Sequence, residues 1–300
     1  MVLGPSNIAG KIETSFLIVV SACVVLLVMV TVTMLVFLYK YNRKRHPVPK
    51  EIKENLPLEV VWTVIPTILV IFMFYFGWVD FDYIRNPPKD AMNVDVISRQ
   101  WSWTFRYANG RQSDTLKVPV GEPVKLTLTS EDVIHCLFIP AYRVKEDCVP
   151  GLKTHLWFTA NEAGTYDIFC TEYCGLEHSH MRSKLITMPV AEFNAWYQGR
   201  AEAKGKEKGL ELLQTKGCLG CHTTDGTPKV GPTLKGLFGS KVTVLTNGSE
   251  RTILADEEYL KMSVLKPAAD IVKGYPNIMP KLSMTEEELD EIVDYLETLK

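Results

Sequence analysis

The hydrophobic pattern changes character twice along the chain. Phe16 to Tyr39 is a run of 24 residues without a charge, and Val60 to Val79 a second uncharged run of 20. A helix over the first would be about 36 Å long, enough for a bilayer core of about 30 Å. Neither run keeps the polar face of a soluble core helix, so both are expected to cross a membrane, over about 16–39 and 60–79. Pro66 inside the second is tolerated in such a helix. The first run is too long for a cleavable signal peptide, and no small-residue cleavage site follows it. Beyond residue 90 the period falls to two. Val94 and Val96, then Val124, Leu126 and Leu128, then Tyr166, Ile168 and Cys170, alternate with polar neighbours. With turns at Asn109-Gly110 and Val120-Gly121 they predict short strands in an antiparallel sandwich or barrel. The last third returns to a helical period. Leu289, Ile292, Val293, Leu296 and Leu299 make one apolar stripe, with a capping box expected from Ser283 and Glu286. Asn247-Gly248, between the alternations of 241–254, predicts a β-hairpin insert.

Composition adds orientation and excludes one class. Three hundred residues allow about two soluble domains beside the anchor. A net charge of −2 excludes the basic face that nucleic-acid binding needs. Lys40, Arg43, Lys44, Arg45, Lys50 and Lys53 crowd the loop between the apolar runs, and positive loops stay cytoplasmic. The N-terminus and everything after residue 80 are therefore expected outside. Trp62, Tyr75 and Trp78 sit near the ends of the second run, where amphipathic rings favour the interface.

Four of the seven cysteines fall in two short clusters. The first is Cys170-Thr171-Glu172-Tyr173-Cys174-Gly175-Leu176-Glu177-His178-Ser179-His180-Met181. Two thiolates four residues apart can bridge two metals, with imidazole and thioether completing the shell. Soft sulfur with imidazole suits copper. His135, in the strand-like run Val133-Ile134-His135, is the natural second imidazole. Two alternatives stay open: a tetrahedral zinc on two Cys and two His, in which Met181 would be idle, and a Cys170–Cys174 disulfide. His46, His155 and His180 read as ordinary solvated or strand histidines.

The pattern C-x-E-x-C-G-x-x-H-x-x-M resembles the CuA loop of the cytochrome c oxidase subunit II family, position for position. The resemblance spans about residues 12–198. It includes Leu58-Glu59-Val60-Val61-Trp62-Thr63-Val64-Ile65-Pro66, Gln100-Trp101-Ser102-Trp103 and Asp132-Val133-Ile134-His135. It implies a cupredoxin-like fold in which Cys170 and Cys174 bridge two copper ions. His135, His178, Met181 and the carbonyl of Glu172 would be terminal ligands, and the Glu172 side chain would reach a magnesium shared with subunit I. It implies that Trp101 lies at the electron-input surface and Glu59 at the mouth of a proton pathway. Cys136 and Cys148 depart from the family pattern. They read first as inert buried thiols, with a disulfide or extra reactive groups as alternatives.

The second cluster, Cys218-Leu219-Gly220-Cys221-His222, is the c-type haem attachment signature. Two thiols add to the two vinyl groups of one porphyrin, and the adjoining histidine lies beneath the iron. Leu210, Leu213 and Gly217 predict a short helix and turn leading into it, and Val230-Gly231-Pro232 a proline near His222. A methionine is expected as sixth ligand. Met279, in Asn277-Ile278-Met279-Pro280, is chosen over Met262 and Met284 because it matches the M-P position of class I cytochrome c domains, which residues 205–300 resemble. Lys281 stands where many relatives carry a second proline.

The combined order resembles subunit II of caa-type oxidases: hairpin 1–90, copper domain 91–190, Ala/Glu/Lys/Gly-rich helical or flexible linker 191–208, all-α cytochrome c domain 209–300. The resemblance implies a bacterial inner-membrane oxidase subunit that partners subunits I and III. It would take electrons from a c-type cytochrome or an upstream quinol-oxidising complex and support dioxygen reduction and proton translocation elsewhere in the assembly. A nitrous oxide reductase-like enzyme shares the copper loop but needs a histidine-rich catalytic domain, which six histidines cannot supply. A tethered copper and haem carrier outside any oxidase would leave Glu59, Trp62 and Glu172 without a purpose.

Overall fold

The computed structural model describes residues 4–48, 54–199, 206–227, 229–282 and 284–299. Lys50 and Lys53 of the basic loop, and Ser283, lie outside the described residues.

Both apolar runs are helices, and each extends beyond its uncharged stretch. Helix α1 (Asn7–Lys40) is capped by the Ser6 hydroxyl, which accepts from Ala9 N–H. Helix α2 (Leu56–Arg85) is capped by Asn55. The two segments are apolar all round and their side chains largely unburied, as expected of membrane spans. The extra turns carry polar residues that fasten the hairpin to the neighbouring β domain. Asn7 donates to the Tyr83 hydroxyl at 3.0 Å and accepts from Thr159 N–H at 2.7 Å. Arg143 pairs with Glu13, and Arg85 with Glu146.

The alternating residues form a two-sheet sandwich. Strands β1 (Met92–Arg99), β2 (Ser102–Tyr107), β3 (Gln112–Ser113), β5 (Pro123–Ser130) and β8 (Thr154–Thr159) make one sheet, in the order β3-β2-β1-β5-β8. Strands β4 (Leu116–Pro119), β6 (His135–Ile139), β7 (Val144–Cys148), β9 (Gly164–Cys170) and β10 (Arg182–Met188) make the other, in the order β4-β10-β9-β6-β7. β1 and β5 run parallel with Val94 beside Leu126 and Val96 beside Leu128. These alternate residues face inward with Trp103, Phe105, Leu137, Phe158 and Ile168, the period-two burial of a sandwich core. The strand expected to include Val133 and Ile134 begins only at His135. Those two residues are exposed because the Asp132 carboxylate takes the Val133 N–H and the Ser130 hydroxyl donates to the Val133 carbonyl. Such local bonds compete with a ladder.

The stretch after the sandwich opens with helix α3 (Val190–Gln198), which buries Phe193 in the sandwich core. The haem-motif domain starts with α4 (Lys206–Thr215) and one 3₁₀ turn at Cys218–Gly220. The expected hairpin is present as β11 (Lys241–Thr246) and β12 (Ser249–Leu254), and gains a third strand. After α5 (Glu257–Leu265) the short β13 (Ile271–Val272) pairs with β11. Helix α6 (Glu286–Glu297) buries the expected stripe of Leu289, Ile292, Val293 and Leu296 against Leu213, Leu234 and Leu260. Its cap is Thr285 with Glu288, which correct the expected pair: the hydroxyl accepts from Glu288 N–H, and the Glu288 carboxylate from Thr285 N–H. Both pairs fit S/T-x-x-E. Starting at Thr285 puts Met284 immediately before the cap, partly buried against the domain core.

Candidate functional site

The loop between β9 and β10 brings the predicted copper ligands together. Cys170 closes β9, and Cys174 follows after one turn. Their sulfurs lie 3.8 Å apart. His135 opens β6 next to β9, and its Nδ1 stands 3.9 Å from Cys170 Sγ. A 3₁₀ turn at His178–His180 returns the chain, so that His178 Nδ1 is 3.4 Å and Met181 Sδ 3.9 Å from Cys174 Sγ. The Glu172 carbonyl oxygen is 3.3 Å from Cys170 Sγ. His135, Cys170, Cys174 and Met181 are all buried. The arrangement offers two thiolates, two imidazoles, a thioether and a carbonyl around one small volume, a donor set that fits soft or borderline metals.

The thiols are poised for metal. Burial pushes the Cys170 thiol up, but the His135 imidazole and the backbone of Cys136 and Glu172 outweigh it and bring its pKa to about 7. Burial and the Cys170 charge push Cys174 to about 12. The two protons therefore leave in separate steps, and a cation between the sulfurs removes the repulsion that holds the second.

A support to which the sequence alone assigns no role surrounds the ligands. Asp132 accepts from His135 Nε2 at 2.8 Å, which leaves Nδ1 facing the sulfurs, and from the Gln100 N–H at 2.6 Å. Burial disfavours this carboxylate, but those bonds, with one from Val133 N–H, outweigh it and hold its pKa below the usual range. Such an outer carboxylate fixes ring tautomer and orientation. Trp103 packs edge-on against the His135 ring. Among the remaining predicted positions, His180 turns away to pair with Glu177, His155 meets the Arg85 carbonyl, and His46 is exposed beside Tyr41. Cys136 and Cys148 are free and buried, and burial pushes their thiols to about 11 and 12. Glu59 sits in the first turn of α2, far along the chain from the copper ligands.

The haem motif opens onto a deep apolar cleft. Cys218, Cys221 and His222 line it together with Leu213, Leu234, Leu289, Ile292 and Val293. His222 Nδ1 donates to the Pro232 carbonyl at 2.7 Å, so the ring presents Nε2 to the cleft. Burial lowers the His222 pKa and favours the neutral ring that a metal needs. Gly231 leaves room for that ring, since an added Cβ would lie 2.8 Å from His222 Cε1. Met279 lines the same cleft. Met262 lies partly exposed on α5 and Met284 in the domain core, and neither lines it. A largely apolar cleft lined by two thiols, an imidazole and a thioether fits a covalently attached haem.

The two sites are neighbours. Trp101, 8% exposed, donates from Nε1 to the Cys174 carbonyl at 3.2 Å, and Gln100 Nε2 donates to the same oxygen at 2.7 Å. On its other side the Trp101 backbone meets the haem-attachment turn: an added Cβ on Gly220 would lie 3.3 Å from the Trp101 carbonyl oxygen.

Three family models match the chain: "Cytochrome C oxidase subunit II, transmembrane domain" over residues 5–77, "Cytochrome C oxidase subunit II, periplasmic domain" over 111–187, and "Cytochrome c" over 206–300. Cytochrome c oxidase subunit 2 of Alkalihalophilus pseudofirmus is 31% identical over 305 residues, covering 92% of this chain and 85% of that protein. The subunit 2 of Bacillus subtilis is 28% identical over 298 residues, covering 87% and 80%. The solved periplasmic domain of subunit II from Bradyrhizobium japonicum is 26% identical at a TM-score of 0.37, over 39% of this chain and 99% of that one.

Proposed function

The chain belongs to the cytochrome c oxidase subunit II family, and from that premise we propose that it relays single electrons from its haem domain to its copper domain and on to subunit I. It is an oxidase subunit II with a fused cytochrome c domain, part of a haem-copper oxidase and its electron-input subunit. CuA copper belongs to the subunit II domain and haem c to the cytochrome c domain.

In this reading Cys170, Cys174, His135, His178, Met181 and the Glu172 carbonyl would hold the copper. Cys218, Cys221, His222 and Met279, which line one cleft, would hold the haem. When bound, these groups supply the one-electron chemistry. The residues position them: Asp132 orients His135, the Pro232 carbonyl orients His222, and Trp101 touches both the Cys174 carbonyl and the attachment turn. The observation that carries the relay is the place of Trp101, packed on the attachment turn and hydrogen-bonded to the Cys174 carbonyl.

The output face lies across the copper loop. Tyr173 and Leu176 are 77% and 70% exposed there, with Glu172 exposed between the two thiolate positions. An uncovered apolar patch beside a redox centre is suited to a partner, and subunit I is the one this reading seats on it, with Glu172 holding a shared magnesium. The basic inter-helix loop favours the cytoplasmic side for itself and the outer side of a bacterial inner membrane for both soluble domains. Because the haem domain covers Trp101, the donor, a soluble c-type cytochrome or a quinol-oxidising complex, meets the haem domain. Subunit III completes the assembly, and Glu59 opens the proton pathway into subunit I.

Cys170→Ser and Cys174→Ser test the copper assignment. Each is expected to abolish the mixed-valence copper signal and oxidase turnover while the haem stays attached. An intact two-copper spectrum in either variant overturns it.

A further inference from the structure

Arg99 ends β1 in the copper domain, yet its side chain lines the haem cleft of the other domain beside Cys218, Cys221 and His222. The side chain is 13% exposed. One guanidinium nitrogen donates to the Lys216 carbonyl across the domain boundary at 2.9 Å. Nε lies 3.0 Å from Glu131 Oε2 but does not aim its hydrogen there, and among the described residues it is otherwise a buried donor without an acceptor. Glu131 is 53% exposed, so water screens it and the Arg99 charge is only partly offset. The charge is felt in the cleft. Burial pushes the Cys218 thiol up to about 11, and the Arg99 charge, with that of Lys216, opposes the rise.

The boundary around Arg99 is built for close approach. Gly217 stands so near Ser102 that a Cβ on it would lie 2.3 Å from the hydroxyl oxygen. Thr104, buried on β2, donates from Oγ1 to the Thr215 carbonyl at 2.8 Å. Two polar straps thus join the copper domain to the segment that enters the haem motif. Thr104 supplies only a neutral one. Arg99 supplies a strap and a full positive charge at the attachment edge of the cleft.

We propose that Arg99 is a positioning residue of the copper domain that completes the haem site of the other domain and raises its reduction potential. Reducing a haem adds one negative charge. A cation in a water-poor cleft stabilises the reduced form more than the oxidised one, so the haem is easier to reduce when the domains are docked. The inference rests on the haem assignment above, and covalent haem in the wild-type chain checks that assignment separately.

The test is a redox titration of the haem in the full metal-loaded chain, comparing wild type with Arg99→Gln, Arg99→Lys and Thr104→Val. Arg99→Gln is expected to lower the potential, so that the ferrous-to-ferric ratio at a fixed ambient potential falls severalfold. Arg99→Lys restores most of it. Thr104→Val removes the neutral strap and leaves the potential in place. A wild-type potential in Arg99→Gln overturns the proposal. So does an equal drop in Thr104→Val, which would assign the effect to docking and not to charge. Absence of covalent haem from the wild-type chain would overturn the haem assignment and this proposal together.

Discussion

Gly231→Ala puts the geometry of the haem ligand under direct strain. The added methyl would sit 2.8 Å from His222 Cε1, 3.0 Å from Nδ1 and 3.1 Å from the Cys221 carbonyl oxygen. The ring is pinned on that side by its 2.7 Å bond to the Pro232 carbonyl, so it cannot turn away without breaking it. Overpacking of this kind costs about 1–3 kcal/mol, and losing the hydrogen bond adds about 1 kcal/mol. The backbone at 231 is not in the left-handed region, so the clash alone is responsible. For a haem domain of this size the sum lowers its melting transition by about 10 °C or more. Gly248→Ala is the control. Its φ of +83° imposes strain, but nothing lies within 4 Å, and it is expected to cost stability without touching the ligand. Thermal unfolding followed in the haem absorption bands gives the stability, and the low-temperature spectrum gives the axial ligation. We expect Gly231→Ala to alter both and Gly248→Ala to leave ligation intact. A Gly231→Ala protein with unchanged ligation and melting would refute the placement of His222 against Gly231.

The same geometry sets three further outcomes. Met279→His replaces a thioether with a stronger donor that stabilises ferric iron. It should lower the haem potential in a redox titration with the haem still attached, and a loss of methionine ligation on changing Met262 or Met284 instead would assign the axial position to that residue. Glu59→Ala should slow turnover of the assembled oxidase while haem-to-copper transfer stays at its wild-type rate, since an ionisable group at a membrane span is usually functional; normal turnover across the pH range counts against it. Copper affinity of the apo chain should fall as pH falls, because bound thiolates must first lose their protons. Burial and the Cys170 charge hold the Cys174 proton, so at least one proton is displaced on binding and the slope should be about tenfold per pH unit or more. As the pH falls and Cys170 and the His135 imidazole also take up protons, the slope should steepen, and a pH-independent affinity would exclude thiolate ligation.

The parts that were legible in the sequence are those that lie close together along it. Cys170, Cys174, His178 and Met181 occupy one loop, and Cys218 to His222 one turn, so spacing suggested a metal loop and a haem-attachment turn, and the family resemblance supplied the copper ligand set. His135 needed only the expectation that neighbouring strands bring it alongside. The supporting contacts were hidden because they cross long stretches of chain. Gln100 reaches Cys174 over 74 residues, and Arg99 reaches Lys216 over 117. Such contacts depend on sheet register and domain docking, which no local period encodes. Asp132 stood in view within the motif around His135, but its role appears only once the Gln100 N–H and the His135 ring converge on it. The cap of α6 shows the limit of a local motif, since two overlapping S/T-x-x-E patterns fit and the helix uses the second. Val133 and Ile134 show the reverse error, β-branched residues held out of a strand by the side chains of Ser130 and Asp132.

The most direct test of the relay is to reduce the haem by a light-triggered donor in the full metal-loaded chain and follow haem and copper absorption together. The account predicts that haem reoxidation and copper reduction share one rate constant, independent of protein concentration. Copper reduced directly by the external donor while the haem stays reduced, or a rate that scales with protein concentration, would contradict it.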